Sequence, residues 1–361
     1  MNNNLNSLTP SGGPPHAPLV SFALFAYNQE KFIREAVEGA FSQTYEPLEI
    51  ILSDDCSTDG TFAIMQEMAA AYRGPHHVRA VQTPQNLGVA QHVLLRGREA
   101  AGEIVVVAAG DDISLPERAA RHVPCYTDPK VWAVSTGYEL IDESGQPVGE
   151  DASIIGKRIA QRVRPGDPTY LRVLPDGYTT IQGSTASYRK QAFDLVKNLE
   201  RINYAEDQLF TFIIHALGFN IDYVWQPLIM YRVHADALSN LPRGTRSWQE
   251  DEYQSTQRTD AEMEKIEFFI EFSESHRVGD RVNVAKLHQN YAIQQDRKAW
   301  AHLSPAARFK SIARDLLRGN TDSVVWRLVR IFGKFPDYWP KRQISSYEHR
   351  YRRQSPGRSG K

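Results

Sequence analysis

An α/β fold is predicted for this 361-residue sequence: a mostly parallel sheet flanked by helices, with a helical extension behind it. Three observations carry that prediction. Short apolar runs rich in β-branched residues alternate with segments of helical period over the first third of the chain, the pattern of βαβ units. The run Ile104-Val105-Val106-Val107-Ala108-Ala109 is apolar at every position, as a strand covered on both faces of a parallel sheet must be. Polar clusters follow the first, second and fourth runs, at the carboxyl ends where open sheets of this kind bind ligands.

Taken in order, Leu19 to Ala26 forms the first strand and Tyr27-Asn28 ends it. Asn28 is placed to cap a helix whose apolar positions Phe32, Ala36, Val37, Ala40 and Phe41 have helical spacing. Leu48 to Ser53 is the second strand and runs into Asp54-Asp55-Cys56-Ser57-Thr58-Asp59-Gly60-Thr61. Phe62, Met65, Met68, Ala69 and Tyr72 then share one helical face. Val78 to Gln82 is the third strand, followed by Asn86-Leu87-Gly88 and a helix to about Gly102. Ile104 to Ala109 is the fourth strand and delivers Asp111 and Asp112 to the sheet edge. Right-handed crossovers are expected throughout.

After a helix near Pro116 to Tyr126 the pattern loosens. Val131–Thr136 and Tyr138–Ile141 read as two strands around Gly137, and Asp142-Glu143-Ser144-Gly145 as a turn. Residues 145–180, rich in Gly, Pro and charge, read as an irregular excursion facing the substrate. A strand over Thr185–Tyr188, helices over Gln191–Leu199 and Gln208–Leu217, and strands over Phe219–Trp225 and Leu228–Val233 complete the sheet domain. The expected organisation is a disordered leader over 1–17 and a sheet domain over 18–240, with halves at 18–115 and 116–240. A helical, basic extension covers 241–361.

Composition narrows the class. With 41% hydrophobic and 24% charged residues the chain has an ordinary globular composition. Two cysteines, Cys56 and Cys125, supply no disulfide framework and no metal-type spacing, so a reducing, cytoplasmic setting is expected. No apolar run approaches the roughly 20 residues of a membrane span. Residues 304–361 hold 14 Lys/Arg against four Asp/Glu, and Val324, Val325, Leu328, Ile331 and Phe332 share one face of a basic stretch flanked by Trp326. That pattern fits a helix lying on an anionic membrane surface, and fits equally a helix docked on its own catalytic domain. Aromatic residues lack basic interleaving, so no nucleic-acid partner is expected.

Adjacent carboxylates at a strand end suit a hard divalent cation held against phosphates, Mg²⁺ or Mn²⁺. One Asp-Asp pair is more often a turn or a cap than a ligand site. Three acidic pairs at successive element boundaries, Asp54-Asp55, Asp111-Asp112 and Glu206-Asp207, shift the balance toward a site.

These residues carry a resemblance. Pro18 to Ala26-Tyr27-Asn28, Ser53-Asp54-Asp55-Cys56-Ser57-Thr58-Asp59-Gly60-Thr61, Asn86-Leu87-Gly88 and Gly110-Asp111-Asp112 resemble the nucleotide-binding half of family-two glycosyltransferases, in order and in spacing. Glu206-Asp207-Gln208 and Tyr231-Arg232-Val233-His234 resemble that family's acceptor half, so the likeness spans about residues 18–240. The resemblance implies a GT-A type Rossmann-like fold and an inverting, metal-dependent transferase in surface polysaccharide synthesis. Its donor would be a nucleotide-diphosphate sugar, a UDP-sugar first, and its acceptor a glycan or lipid-linked hydroxyl at the inner membrane face.

The same resemblance implies roles. Ala26, Tyr27, Asn28 and Asp54 would hold the nucleoside, with Asp55 beside them and Asp111 on the ribose. Asp112 would ligate the cation, joined by His234 or with His234 on the diphosphate. Asp207 would be the base and Glu206 an acceptor contact; one base acting in a single displacement inverts the anomeric centre. Gly183 and Ser184 would line the acceptor pocket, although an ordinary turn explains the same letters. Two positions depart from the family pattern: Gly110 stands where an Asp is usual, and Gln91 or His92 where an Asn is.

Two other readings stay in view. A sugar nucleotidyltransferase shares the layout but needs a glycine-rich phosphate loop after its first strand, where this chain has Ala26-Tyr27-Asn28-Gln29-Glu30. A catalytically silent sugar-nucleotide binder would look much the same in sequence, with Asp207 arguing weakly against it.

Overall fold

The computed structural model describes residues 17–148, 181–196, 206–234, 248–301 and 303–317. Among the described residues eight strands form one sheet: β1 (Val20–Ala26), β2 (Leu48–Asp54), β3 (His77–Gln82), β4 (Ile104–Ala109), β5 (Ile113–Ser114), β6 (Val131–Ile141), β7 (Ala186–Arg189) and β8 (Asn220–Arg232). Their order is β3-β2-β1-β4-β7-β6-β8-β5. The first four strands are parallel neighbours, β7 is antiparallel to β4 and β6, and β8 runs parallel to β6. The chain leaves β1 toward β2 on one side and returns to β4 on the other, so the crevice between β1 and β4 is a topological switch point.

The helices are α1 (Ile33–Phe41), α2 (Thr61–Ala71), α3 (Val89–Glu99), α4 (Arg118–His122), α5 (Gln191–Asp194), α6 (Glu206–Ala216), α7 (Trp248–Ser275), α8 (Val284–Ala301) and α9 (Pro305–Leu317). Two apolar layers explain why the strands are apolar at every position. Val20, Phe22 and Leu24 of β1 pack with Ile33, Val37 and Ala40 of α1 on one face of the sheet. Ala23 and Phe25 join Val93 and Leu94 of α3 and Phe210, Ile213 and Ile214 of α6 on the other.

The elements depart from the sequence reading in several places; the helix expected over Gln191–Leu199, for one, ends at Asp194. Val131–Ile141 and Asn220–Arg232 are single strands, each of which the sequence pattern splits in two. The apparent breaks at Gly137 and Pro227 are a bulge: the β6–β8 register shifts there, and a Cβ at Gly137 would sit 3.2 Å from the Gln226 carbonyl. Proline without an N–H and glycine without a side chain are tolerated at such a place. Strand β5, only two residues long, is too short for a periodicity to reveal. Asn28 does not cap α1, whose N-cap is Phe32 without a side-chain bond. It adopts a left-handed φ of 52° and accepts the Thr58 N–H at 2.9 Å instead.

The apolar layer continues past residue 240. Ile266, Phe269 and Phe272 of α7 and Val278, Val282 and Leu287 belong to the cluster that α6 builds, with Phe269 stacked on Phe212 at 3.8 Å between ring centroids. The chain divides into two compact units, 1–295 and 296–361. Within the second, the Arg308 guanidinium lies 4.8 Å from the Trp300 ring centroid. No helix among the described residues is long and apolar enough to cross a membrane. The expected leader, most of the 145–180 excursion and the basic stretch 323–334 lie outside the described residues.

Candidate active site

Strand register brings the polar clusters to one edge. Ala26 is level with Asp54, and Phe25 with Ala109, so the loops after β1, β2 and β4 leave the sheet together. The first two are stitched to each other. Asn28 N–H donates to Ser57 Oγ at 2.8 Å, Gln29 N–H to Thr61 Oγ1 at 2.8 Å, and Gly60 N–H to Glu30 Oε2 at 2.8 Å. Tyr27, at the tip, leaves its ring exposed.

Asp54 and Asp55 point inward and organise this loop pair. Asp54 is buried and accepts from the Ser57 N–H and hydroxyl and from Gln82 Nε2. Three donors therefore take up most of the roughly four acceptor positions of this enclosed carboxylate, which fixes the loop from inside. Asp55 accepts Thr83 Oγ1, Leu87 N–H and Gly88 N–H, each at 2.9 Å, which explains the Asn86-Leu87-Gly88 motif as the turn this carboxylate fastens. Below it, His92 is bonded to Ser53 Oγ at 2.6 Å, and burial pushes its pKa down to about 4.

Gly110 is glycine because nothing larger fits. A Cβ there would lie 2.5 Å from Gln29 Oε1 and 2.7 Å from the Ala26 Cβ, so the acid usual in related sequences has no room. Replacing Gly110 by Ala should overpack this corner and cost about 1–3 kcal/mol, read as a lowered melting temperature of the unliganded protein.

Asp111 and Asp112 face different surroundings. The Asp111 carboxylate is partly exposed and stands 3.1 Å from His234 Nε2. Asp112 is enclosed: Oδ1 accepts the Arg232 N–H at 2.9 Å, while Oδ2 is buried without a close partner. Burial and the neighbouring Asp111 raise its pKa to about 8, against the relief given by the Arg232 N–H, Ser184 and Arg118. Arg118, fully buried, donates to Val107 O and Ser184 O at 2.7 Å and to Ala186 O at 3.2 Å.

That arginine leads to the other half of the site. Gly183 and Ser184 begin a single 3-10 turn ahead of β7, and a Cβ on Gly183 would fall 2.1 Å from Glu206 Oε1. Glu206 and Asp207 open α6, Glu206 buried against this turn and Asp207 accepting the N–H groups of Gln208 and Gly183. Burial raises both: Glu206 to about 8, helped by Asp207, and Asp207 to about 6, with Lys265 and the two N–H groups pulling the other way. Burial of two adjacent carboxyl groups thus favours a proton held by the pair, with the N–H groups of Gln208 and Gly183 and the charge of Lys265 favouring the ionised form at Asp207.

The Asp111 carboxylate is a hard oxygen donor of the kind Mg²⁺ or Mn²⁺ takes, while the His234 imidazole beside it is a softer donor that suits transition metals. Among the described residues no group of three His, Cys, Asp or Glu side chains is arranged as a metal centre. The donor set matches a cation that takes one or two protein ligands and completes its shell with phosphate oxygens and water.

The family described as Glycosyl transferase family 2 matches residues 21–196. Residues 21–196 belong to that family. Among relatives of this family-two glycosyltransferase, the putative glycosyltransferase EpsE of Bacillus subtilis is 28% identical over 222 residues, 61% of this chain and 74% of EpsE. An uncharacterized protein of Mycobacterium tuberculosis H37Rv is 29% identical over 225 residues, 61% of this chain and 60% of that protein. The putative teichuronic acid biosynthesis glycosyltransferase TuaG of Bacillus subtilis is 28% identical over 131 residues, 36% of this chain and 51% of TuaG. Among solved structures, a mannosyltransferase of Pyrobaculum calidifontis in complex with GDP-Man and Mn²⁺ aligns with TM-score 0.48 and 18% identity, over 91% of this chain and 90% of that one. Staphylococcus aureus TarS 1–349 aligns with TM-score 0.48 and 19% identity, over 78% and 89%.

Sequence reasoning missed Arg118, Arg232 and Lys265. Only Arg232 sat in a motif, and nothing in the sequence shows that Arg118 spans from β4 to the turn at Ser184.

Proposed function

We propose that the protein transfers a sugar from a nucleotide-diphosphate donor, a UDP-sugar first, to a hydroxyl of a glycan or lipid-linked acceptor in surface polysaccharide synthesis, with inversion. The observation that carries this reading is the separation of two half-sites by one short connection. Donor-side acids follow β2 and β4, the acid pair opens α6, and Arg118 with the Gly183–Ser184 turn ties them together.

In this reading Tyr27 and the Ala26–Asn28 loop cover the nucleoside; Asp54, enclosed beneath that loop, would have to be uncovered to take a ring N–H itself. Asp111 and His234 face the cation and the diphosphate. Asp112 serves from behind by fixing the turn; acting as a ligand itself would require its enclosed carboxylate to swing outward. The cation, when bound, neutralises charge building on the departing nucleotide diphosphate. Asp207, ionised while Glu206 keeps the proton, takes the hydrogen of the acceptor hydroxyl as that oxygen attacks the anomeric carbon from the face opposite the leaving group.

The test is a thermal-shift screen of the full chain against UDP, GDP, dTDP and ADP with and without MnCl₂, since a ligand bound only by the folded state raises its melting temperature. A nucleotide-dependent shift that grows with Mn²⁺ supports the reading, followed by assay of the protecting nucleotide's sugars. No shift with any nucleotide removes it, and a shift without turnover for any donor and acceptor returns the silent binder. For the acceptor, attachment at the inner membrane face predicts that the protein pellets with anionic vesicles at low salt. Deletion after Asn320 should abolish this; equal pelleting by the shortened form would remove the membrane arm alone.

A further inference from the structure

Arg232 has no role in the reaction as proposed, yet it is the most heavily bonded side chain at the donor edge. It is fully enclosed. Its Nε donates to the main-chain oxygen of Asp111 at 2.9 Å, Nη1 to the oxygens of Asp142 at 3.1 Å and Glu143 at 3.0 Å, and Nη2 to Glu35 Oε2 at 2.6 Å. Its own backbone N–H donates to Asp112 Oδ1. The guanidinium lies 4.9 Å from the Phe32 ring centroid, and Phe32 in turn packs on the His234 ring at 4.7 Å.

We propose that Arg232 is the positioning residue that fixes the Asp111-Asp112 turn, anchoring the cation-facing carboxylate to α1 through Glu35 and to the turn that closes β6 through Asp142 and Glu143. This rests on the donor-site reading above.

Three considerations separate this from plain packing. Burying a guanidinium is costly, and an apolar side chain of similar volume would fill the same space at less expense. Four of its five N–H groups are used, and three of the four accepting atoms are main-chain oxygens of two turns, so the fork dictates where those turns sit. The Asp111 peptide is gripped from its carbonyl side and Asp112 from its carboxylate, which leaves the Asp111 side chain directed at His234. The turn at Asp142 is itself rigid, since Asp142 Oδ1 accepts the N–H groups of Ser144 and Gln146 at 2.9 Å, so it is a firm anchor.

A lysine at 232 would keep the positive charge near Glu35 and lose the fork. The experiment compares wild type, Arg232→Lys and Glu35→Gln, using whichever of UDP, GDP, dTDP or ADP protects wild type most. Calorimetry gives nucleotide affinity with and without MnCl₂, and electron paramagnetic resonance of free Mn²⁺ gives the metal directly. Loosened packing would weaken nucleotide binding in both conditions alike; a positioning role weakens the part that depends on Mn²⁺. The expected result is a gain from Mn²⁺ about tenfold smaller in Arg232→Lys and about threefold smaller in Glu35→Gln, with affinity in the absence of metal within twofold of wild type. Gains from Mn²⁺ equal to wild type in both variants overturn the proposal. Should Arg232→Lys fail to fold, Glu35→Gln decides alone, because Glu35 is half exposed and its loss leaves the core intact. Wild type that binds no nucleotide with Mn²⁺ overturns the donor reading and this proposal together.

Discussion

Asp207→Asn should retain donor binding and lose transfer by about 10²- to 10⁴-fold, the range that general-base catalysis contributes. The substitution keeps the shape and the acceptor oxygen that holds the Gln208 N–H at 2.6 Å, and removes only the ability to take a proton. The measurement is kcat for transfer beside nucleotide affinity by calorimetry. Lost binding would reassign Asp207 to the donor, and unchanged kcat would end its role as base. As the proposed base, the same residue would set the pH dependence. Burial raises Asp207 to about 6, so the reactive, ionised form is lost as the medium becomes more acidic. Transfer by the wild type should rise through about pH 6, falling about tenfold per unit below it, and level off above. Glu206, Lys265 and Tyr188 are the charged or titratable neighbours in play. Glu206→Gln keeps a neutral group at 206, as in the protonated wild type, and should leave this limb near pH 6.

Asp111→Ala is expected to act on the donor side, raising the Mn²⁺ concentration for half-activation at least about a hundredfold while Asp207 stays able to work. Removing this carboxylate takes away one of the two groups proposed to face the cation and leaves His234 without its partner at 3.1 Å. Asp112→Asn makes the informative contrast. Its Oδ1 can still accept the Arg232 N–H, so the turn should persist and the shift in Mn²⁺ requirement should stay within about tenfold. Reversal of that order, with the Asp112 variant the more severely impaired in metal use, would show that the enclosed carboxylate swings out to the ion.

The sheet and its edge were legible because they are local. Four apolar runs between helical segments, each at a βα boundary, fix the order of β1 to β4, and the acids after β2 and β4 sit where such boundaries point. Orientation was not legible. Asp54 and Asp55 are adjacent letters in the nucleotide motif, yet both turn inward to hold Ser57, Gln82, Thr83 and the Leu87–Gly88 backbone, partners up to 33 residues away. Arg232 escaped for the same reason, since its partners Glu35 and Asp111 lie 197 and 121 residues from it. The bulge at Gly137 and Pro227 imitates two strand ends, because a register shift interrupts the pattern without interrupting the strand. Long-range contacts of this kind are what periodicity cannot encode.

The stacking of Phe269 on Phe212 has a practical corollary for anyone trimming the gene product. A version stopped at residue 240, the point where the motifs run out, would strip the cover from Phe212 and its neighbours on α6 and present a greasy face to water, an invitation to aggregate. A piece that keeps this lining has to run at least through Leu287 and Tyr291.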